Sequence, residues 1–132
     1  MSLQITDIAF TLTPVTDMKK ARAFYEGVLG LVPARFIGPD DESYVEYDVG
    51  PGKTTLALAT GLPGWKPATN STAIVFEVAD LDAAVAHLKA GNITFLCETL
   101  EFPVCRMAIV TDPDGNTVTL HQCKKKPENL KA

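Results

Sequence analysis

The sequence lacks the long apolar runs and the excess of basic residues that mark membrane proteins and nucleic-acid-binding proteins. No apolar run approaches the roughly 20 residues that a membrane-spanning helix needs. The first residues show no basic segment leading into an apolar one, so we expect no signal peptide and a cytoplasmic location. Twelve Lys and Arg stand against 16 Asp and Glu, a formal net charge of −4. Because such a chain does not attract phosphate backbones, we expect neither nucleic acid nor membrane as a partner.

Cysteine is also scarce, and its spacing argues against a zinc site. The three cysteines, Cys97, Cys105 and Cys123, are odd in number and show none of the paired short spacings that zinc ligands have. We interpret them as reduced thiols that pack as small hydrophobic side chains. The sequence has no glycine-rich phosphate loop and no Gly-x-Ser-x-Gly nucleophile motif. It therefore gives no indication of nucleotide or serine-hydrolase chemistry.

What the sequence does contain is the composition of an ordinary globular protein. Of its 132 residues, 46% are apolar, 21% charged and 8% aromatic. These fractions exclude disordered and fibrous classes. A chain of this length can bury roughly two-thirds of its unfolded surface, which is enough for one sound core. We therefore expect a single domain over residues 1–132.

The second half of the chain repeats the first. Residues 15–23 align with residues 78–86, and both segments place a polar cap before an amphipathic helix. Asp17 or Thr16 is the expected N-cap of the first helix and Asp80 that of the second. Left-handed glycines are expected at the two helix ends, at Gly30 and Gly91. The spacing of Leu81, Ala84, Val85 and Leu88 predicts one buried helix face, with His87 facing solvent.

Each half is predicted to fold as βαβββ. Module one covers about residues 4–60, a Pro- and Gly-rich linker covers 61–70, module two covers about 71–123, and a polar tail covers 124–132. The predicted strands lie at about 4–13, 32–37, 43–49, 54–60, 71–78, 93–97, 104–111 and 116–123. This pattern indicates an α+β fold.

Alternation within the strands assigns two faces to each predicted sheet. The larger apolar rows are expected under the helices, and these include Ile8, Phe10 and Leu12 in the first strand. The opposite faces are small and partly polar, so a curled sheet would leave a ligand-binding cleft. A solvated sheet face is the alternative. The predicted cleft residues are Ala9, Thr11, Thr55, Ala57, Ala73, Val75, Thr119 and His121.

Three segments of the chain resemble one known family. Phe24-Tyr25 followed by Val28-Leu29-Gly30-Leu31, the segment 78–91, and the hairpin Asp112-Pro113-Asp114-Gly115-Asn116 appear in the order typical of the vicinal oxygen chelate superfamily. That superfamily includes glyoxalase I, bleomycin-resistance proteins, fosfomycin-resistance transferases and extradiol dioxygenases. The resemblance covers about residues 5–123. It implies two βαβββ modules that form an incomplete barrel around one cleft, often completed by a homodimer.

The resemblance also implies where a divalent metal would bind in metal-dependent relatives. Their ligand positions correspond to Ala57, Ala73 and Thr119, and the first-strand ligand falls on Ala9 or Asp7, depending on the insertion assumed at Pro14. Methyl and hydroxyl groups at the three better-aligned positions cannot hold the ion. We therefore expect no metal and no cofactor. A displaced divalent metal site formed by Asp7, Glu77 and His121 is the alternative.

His121 and Glu77 are the candidate catalytic residues. His121 lies two residues after Thr119 and shares its predicted face, and Glu77 lies on the equivalent face of its own strand. The two side chains could form an acid–base pair if the fold brings them together, or they could simply be hydrogen-bonded. The sequence does not decide whether Tyr44, Glu46 and Arg106 face the cleft.

Two functions follow from these features. The first is a glyoxalase/bleomycin-resistance-like protein that binds a small molecule in the cleft without the family's metal. The second is a metal-dependent or acid–base enzyme with a re-sited centre, either a glyoxalase I-like lyase or isomerase or an extradiol-type dioxygenase. The identity of the ligand is not encoded in strand periodicity.

Overall fold

Two units of similar length make up the chain, Met1–Pro67 and Ala68–Ala132. The structure is a computed structural model, and it describes residues 4, 6, 8–36, 43–61, 66–69 and 73–124. Asp7, part of the linker and most of the polar tail lie outside the described residues. Among the described helices, none is both long enough and apolar enough to cross a membrane.

The first unit has the predicted βαβββ order. Its elements are β1 (Thr11–Pro14), α1 (Met18–Arg22) with a π-helical continuation (Ala23–Val28), β2 (Pro33–Phe36), β3 (Tyr44–Val49) and β4 (Thr54–Ala59). The strands form one sheet in the order β1-β4-β3-β2. β1 is parallel to β4, and the other pairs are antiparallel.

The second unit repeats this order and this topology. Its elements are β5 (Ile74–Glu77), α2 (Leu81–Ala90), β6 (Phe95–Glu101), β7 (Cys105–Thr111) and β8 (Thr117–Cys123). The sheet order is β5-β8-β7-β6, with β5 parallel to β8. The predicted α+β fold with two βαβββ modules is therefore confirmed.

Both helices begin at the predicted caps. The Asp17 carboxylate accepts a hydrogen bond from the Lys20 N–H at 3.2 Å, and the Asp80 carboxylate accepts one from the Ala83 N–H at 3.1 Å. Each bond satisfies one of the N–H groups that a helix leaves without an internal partner. The repeated Val-x-Asp segment thus fixes where each helix starts.

The helix ends differ from each other. Gly30 has a φ of 81°, as the first helix end was predicted to require. The prediction for Gly91 is wrong: its φ is −87°, and Asn92 adopts the left-handed conformation with a φ of 59°. Asn tolerates this region better than most residues, which explains why the glycine is not needed there.

The core of the first unit lies between its sheet and its helical segment. Val45, Tyr47, Leu56 and Leu58 are buried on one sheet face. The Tyr47 ring stacks on Tyr25 with centroids 6.5 Å apart, and the Tyr47 hydroxyl donates to Glu26 Oε2 at 2.8 Å. These contacts identify this face as the one that the helical segment covers.

The core of the second unit follows the same plan. Leu81 and Leu88 are buried on α2, and His87 is exposed, as predicted. The Leu81 N–H donates to the Gln122 side chain at 2.7 Å, which places the Gln122 row of β8 on the helix side. The buried sheet residues of that row and of its register partners are Val118, Leu120, Ala108 and Val110.

The predicted facing of β1 is wrong. Leu12 is in register with Ala57, whereas Thr11 is in register with Leu56 on the helix side. Val15 explains this facing, since it is buried and its N–H donates to the Ala59 carbonyl at 2.9 Å. Residues of the same parity as Val15 therefore face the helix, and the β-branched Thr11 and Thr13 fill that side. Ala9, in turn, lies before the strand and is exposed.

Candidate functional site

Each sheet has one face turned away from the helix of its own unit, which we call the open face. In the second unit the register places Val75, Thr119 and Ile109 side by side on this face. Glu77, His121 and Met107 form the next row. These two rows of the open face therefore combine apolar side chains with the ionisable groups of Glu77 and His121.

Glu77 and His121 are in direct contact. His121 Nδ1 and Glu77 Oε1 are 2.5 Å apart, and the Cys123 N–H donates to Glu77 Oε2 at 2.9 Å. Parallel pairing of β5 with β8 produces this contact, because it aligns the two residues in one register position. Sequence spacing placed both residues on equivalent faces, and the structure brings them together.

The electrostatics of this pair define its chemistry. Partial burial raises the pKa of Glu77, but hydrogen bonds from His121 and from the Cys123 N–H outweigh this effect and leave the pKa below its ordinary value of 4.5. Glu77 is then ionised at neutral pH, and its carboxylate accepts a hydrogen bond from the protonated Nδ1 of His121. The other ring nitrogen, Nε2, is left to accept a hydrogen bond or a proton from a bound molecule.

Apolar side chains surround the pair on the open face. Val75 is 54% exposed although it lies within a strand, while Thr119 is 3% exposed. Met107 is directly opposite His121, and Ile109 is opposite Thr119. An exposed valine and a flexible methionine on the same sheet face give a surface to which an apolar ligand can bind.

The open face of the first unit carries a separate polar network. Arg35 Nη2 donates to Asp48 Oδ1 at 2.6 Å, and Arg35 Nε donates to Glu46. The Tyr44 hydroxyl donates to Glu46 at 2.6 Å, and the Thr55 hydroxyl donates to Asp48 at 2.8 Å. Two carboxylates thus share one guanidinium, which leaves the network with one net negative charge.

The same contacts shift two pKa values in this network. Hydrogen bonds from Arg35 and Thr55 lower the pKa of Asp48 from 3.8 to about 2. Burial and the hydrogen bond to Glu46 raise the pKa of Tyr44 to about 12. Both groups therefore keep one protonation state throughout the neutral range.

The predicted cleft residues divide into three groups. Thr55, Ala57, Ala73, Val75, Thr119 and His121 have the parity of the open faces, as predicted. Thr11 faces the helix, and Ala9 precedes β1. The facing of Arg106, left open by the sequence, is settled on the helix side, where it donates to Asp82 at 2.8 Å.

Sequence reasoning missed Arg35 and Asp48. Asp48 was detectable, because it alternates with Glu46 and Tyr44 along β3 and must share their face. Arg35 gave no such signal, since β2 contains a register shift between Pro33 and Arg35. Irregularities of this kind break the two-residue alternation on which facing is predicted.

The register also bears on the fourth position at which the family resemblance implies a ligand in metal-dependent relatives. Leu12 pairs with Ala57 as Val75 pairs with Thr119, so the segments that lead to Val15 and Val78 align with each other without an insertion. The internal equivalent of Ala73 is then Phe10, which adds a third choice to the predicted placements at Ala9 and Asp7. In the described part of the chain, no three His, Cys, Asp or Glu side chains are grouped so that they could hold a metal ion.

A family model matches most of the chain. The model describes the Glyoxalase/Bleomycin resistance protein/Dioxygenase superfamily, and it matches residues 7–120. The chain belongs to this superfamily. The resemblance found in the helix and hairpin motifs is thereby confirmed. None of the curated proteins matches the chain in sequence.

Solved structures agree with this membership. TnmS3, an antibiotic binding protein from Streptomyces sp. CB03234, is 24% identical with a TM-score of 0.76, and the match covers 93% of this chain and all of that one. A glyoxalase/bleomycin resistance protein from the same organism is 27% identical with a TM-score of 0.71, over 88% and 100% of the two chains. The fosfomycin resistance protein FosX from Listeria monocytogenes is 15% identical with a TM-score of 0.70, over 95% and 98%.

Proposed function

We propose that this member of the superfamily binds a small molecule on its open faces without a resident metal ion. The observation that carries this proposal is the set of residues at the four ligand-equivalent positions, Phe10, Ala57, Ala73 and Thr119. A phenyl ring, two methyl groups and one hydroxyl offer a divalent ion almost no donor atoms. The superfamily's fold is kept while its metal-binding side chains are replaced.

The second unit's open face suggests what such a molecule looks like. Val75, Met107 and Ile109 provide apolar contact area, and Nε2 of His121 provides one hydrogen-bond acceptor. A ligand with an apolar body and a hydroxyl or phenol donor fits this arrangement. Antibiotics with aromatic skeletons have this chemistry, and TnmS3 is described as an antibiotic binding protein. We therefore place natural-product antibiotics first among the candidate ligands. We also propose that the protein acts as a homodimer in the cytoplasm.

A melting screen in the presence of a chelator tests this proposal. Apolar, hydroxyl-bearing antibiotics are expected to raise the melting temperature of the full chain in excess EDTA, because binding to the folded state alone stabilises it. His121→Ala should weaken binding about tenfold or more through the lost hydrogen bond. His87→Ala is the matched control, since His87 is exposed on α2. Equal losses in both variants, or ligand binding only when metal is added, would overturn the proposal.

A second candidate function rests on the Glu77–His121 contact. An ionised carboxylate that orients a histidine ring through Nδ1 leaves Nε2 poised as a general base. We propose, as the alternative, acid–base chemistry such as a glyoxalase-like isomerisation, in which Nε2 removes a substrate proton. His121→Ala and Glu77→Gln should then lower kcat by roughly two orders of magnitude or more. Turnover that both variants retain would exclude this role, as would the absence of turnover over a broad substrate panel, with and without added metal.

A further inference from the structure

Two of the three cysteines lie directly opposite each other in the sheet of the second unit. The antiparallel register of β7 with β8 aligns Cys105 with Cys123, on the same sheet face as the Met107–His121 pair and two residues further along each strand. Both side chains are half-buried thiols. Residues aligned in this way project from the same face of the sheet, so the two sulfur atoms share the open face.

The hydrogen bonds around this pair define its geometry. The Lys124 N–H donates to the Val104 carbonyl at 2.8 Å, and at the hairpin end the Asp112 N–H donates to the Asn116 carbonyl at 2.9 Å. Backbone bonds in an antiparallel ladder join alternate residue pairs. Cys105 and Cys123 lie one step inside the Val104–Lys124 bond, so they form a pair without mutual backbone hydrogen bonds.

This type of pair brings side chains closest together. The Cα atoms of such pairs are about 4.5 Å apart, whereas hydrogen-bonded pairs are about 5.5 Å apart. A disulfide spans Cα distances of roughly 4.4–6.8 Å. The two cysteines therefore lie within bonding range without a change of register.

The third cysteine is not part of this arrangement. Cys97 on β6 is aligned with Ile109, which lies four residues from Cys105 along β7. At roughly 3.4 Å per residue, this separation is well beyond the reach of a disulfide. Cys97 is therefore an internal control for thiol chemistry in the same chain.

We propose that Cys105 and Cys123 form a reversible dithiol–disulfide pair, a redox modification site beside the Glu77–His121 contact. The oxidant is a low-molecular-weight disulfide such as oxidised glutathione. One cysteine thiolate attacks a sulfur of this disulfide, forms a mixed disulfide and releases one glutathione thiolate. The second cysteine thiolate attacks the protein sulfur of the mixed disulfide and releases the second. The protein loses two protons and two electrons, and the oxidant is reduced to two thiols.

The location next to Glu77 gives this site a structural consequence. The Cys123 N–H donates to Glu77 Oε2, and His121 lies two residues before Cys123 on the same strand. A covalent bond across β7 and β8 restrains the backbone that holds the Glu77 carboxylate. The proposed redox site is inferred from the pairing of β7 with β8 and does not depend on the ligand proposed above.

Thiol trapping of the full chain tests the site. The protein is equilibrated in glutathione buffers of graded ratio, alkylated with iodoacetamide and weighed intact. In oxidising buffer we expect one alkylated thiol instead of three and a mass lower by two hydrogens before alkylation, with a peptide that links Cys105 to Cys123. Cys97→Ser should keep this disulfide, with no alkylated thiol left. Cys105→Ser and Cys123→Ser should each lose it and carry a glutathione adduct instead.

Several results would overturn the site. Three alkylated thiols at every buffer ratio would do so, and so would a disulfide that includes Cys97. The peptide map of the chain without substitutions identifies the bonded cysteines by itself. The test therefore does not depend on how well the serine variants fold.

Discussion

At the scale of single residues, the open faces are organised by carboxylates that orient other side chains. Glu77 holds His121, and Glu46 and Asp48 together hold Arg35. In both units the carboxylate lies on a strand next to its partner's strand, so backbone register sets the contact. Polar groups are thus kept in fixed positions on faces that otherwise consist largely of small or apolar side chains.

The Arg35 network predicts a measurable titration. Replacing Arg35 by Gln removes the largest influence that lowers the pKa of Asp48, so this pKa should rise from about 2 toward 3.8. A carboxyl-detected NMR titration measures it directly. Arg106→Gln, which removes the corresponding ion pairs of the second unit, should leave Asp48 unchanged. An Asp48 pKa that stays near 2 in Arg35→Gln would contradict the assigned cause.

The sign of the resulting pH dependence follows from linkage. The folded-state pKa of Asp48 is below its ordinary value, so its contribution to stability is present above about pH 4 and is lost as the pH falls toward 2. Chemical denaturation at pH 7 and at pH 2 should therefore show a difference between the parent and Asp48→Asn that is much smaller at pH 2 than at pH 7. A difference of equal size at both values would contradict this linkage.

In the core of the first unit, the buried Tyr47 hydroxyl predicts a specific cost. Tyr47→Phe removes the hydrogen bond to Glu26 while the ring keeps its stacking on Tyr25. The free energy of unfolding should fall by about 1–2 kcal/mol, because a hydrogen bond to a charged acceptor is lost. The Glu26 carboxylate keeps its ion pair with Arg22, which limits the loss. Urea denaturation measures this change. An unfolding free energy that stays unchanged in Tyr47→Phe would contradict the stabilising role assigned to this hydrogen bond.

At the scale of elements, the two helices have the same start and different ends. The Val-x-Asp segment gives both helices an aspartate cap, but Gly30 has the left-handed conformation and Gly91 does not. A methyl group at Gly91 would make only ordinary contacts, the nearest at 3.6 Å from the Leu88 carbonyl oxygen. The two glycines therefore have opposite tolerance for a side chain.

This difference predicts opposite effects of one substitution. Gly91→Ala should stabilise the protein by about 0.4–1 kcal/mol, because it restricts the unfolded chain at a position whose native φ suits alanine. Gly30→Ala should destabilise it by about 1 kcal/mol or more, because its φ of 81° strains any Cβ. Thermal and urea unfolding of the two variants give the comparison. Changes of the same sign would contradict the assigned helix ends.

The elements also show how far the sequence predicts the structure. The repeat predicted both βαβββ units, and alternation in β4, β5 and β8 predicted the correct faces. In β1 alternation failed, because the threonines face the helix and Leu12 faces away from it. The repeat predicts the observed facing. Because Val15 aligns with Val78, Thr11 aligns with Ile74 and Thr13 with Phe76, and both residues of β5 face the helix. Internal equivalence was a better guide than the polarity of individual residues.

At the scale of the whole molecule, the repeat makes individual strand positions of the two units equivalent. One position from each of β4 and β8, and one from the segment before each of β1 and β5, are equivalent in the two units. They hold Ala57, Thr119, Phe10 and Ala73. The sequence assigned Ala57, Ala73 and Thr119 to these positions, and the strand register adds Phe10. It could not predict the Glu77–His121 distance or the Arg35 network, because these depend on register between strands and on a bulge in β2.

The metal content of the full chain tests the central proposal most directly. The purified chain, without an affinity tag, is dialysed against micromolar zinc, nickel, manganese and iron, then against metal-free buffer, and its metal is counted by elemental analysis. Binding without a resident ion predicts far less than one metal atom per chain, and a melting temperature that EDTA does not change. One tightly held metal atom per chain, with a melting temperature that falls in EDTA, would contradict it.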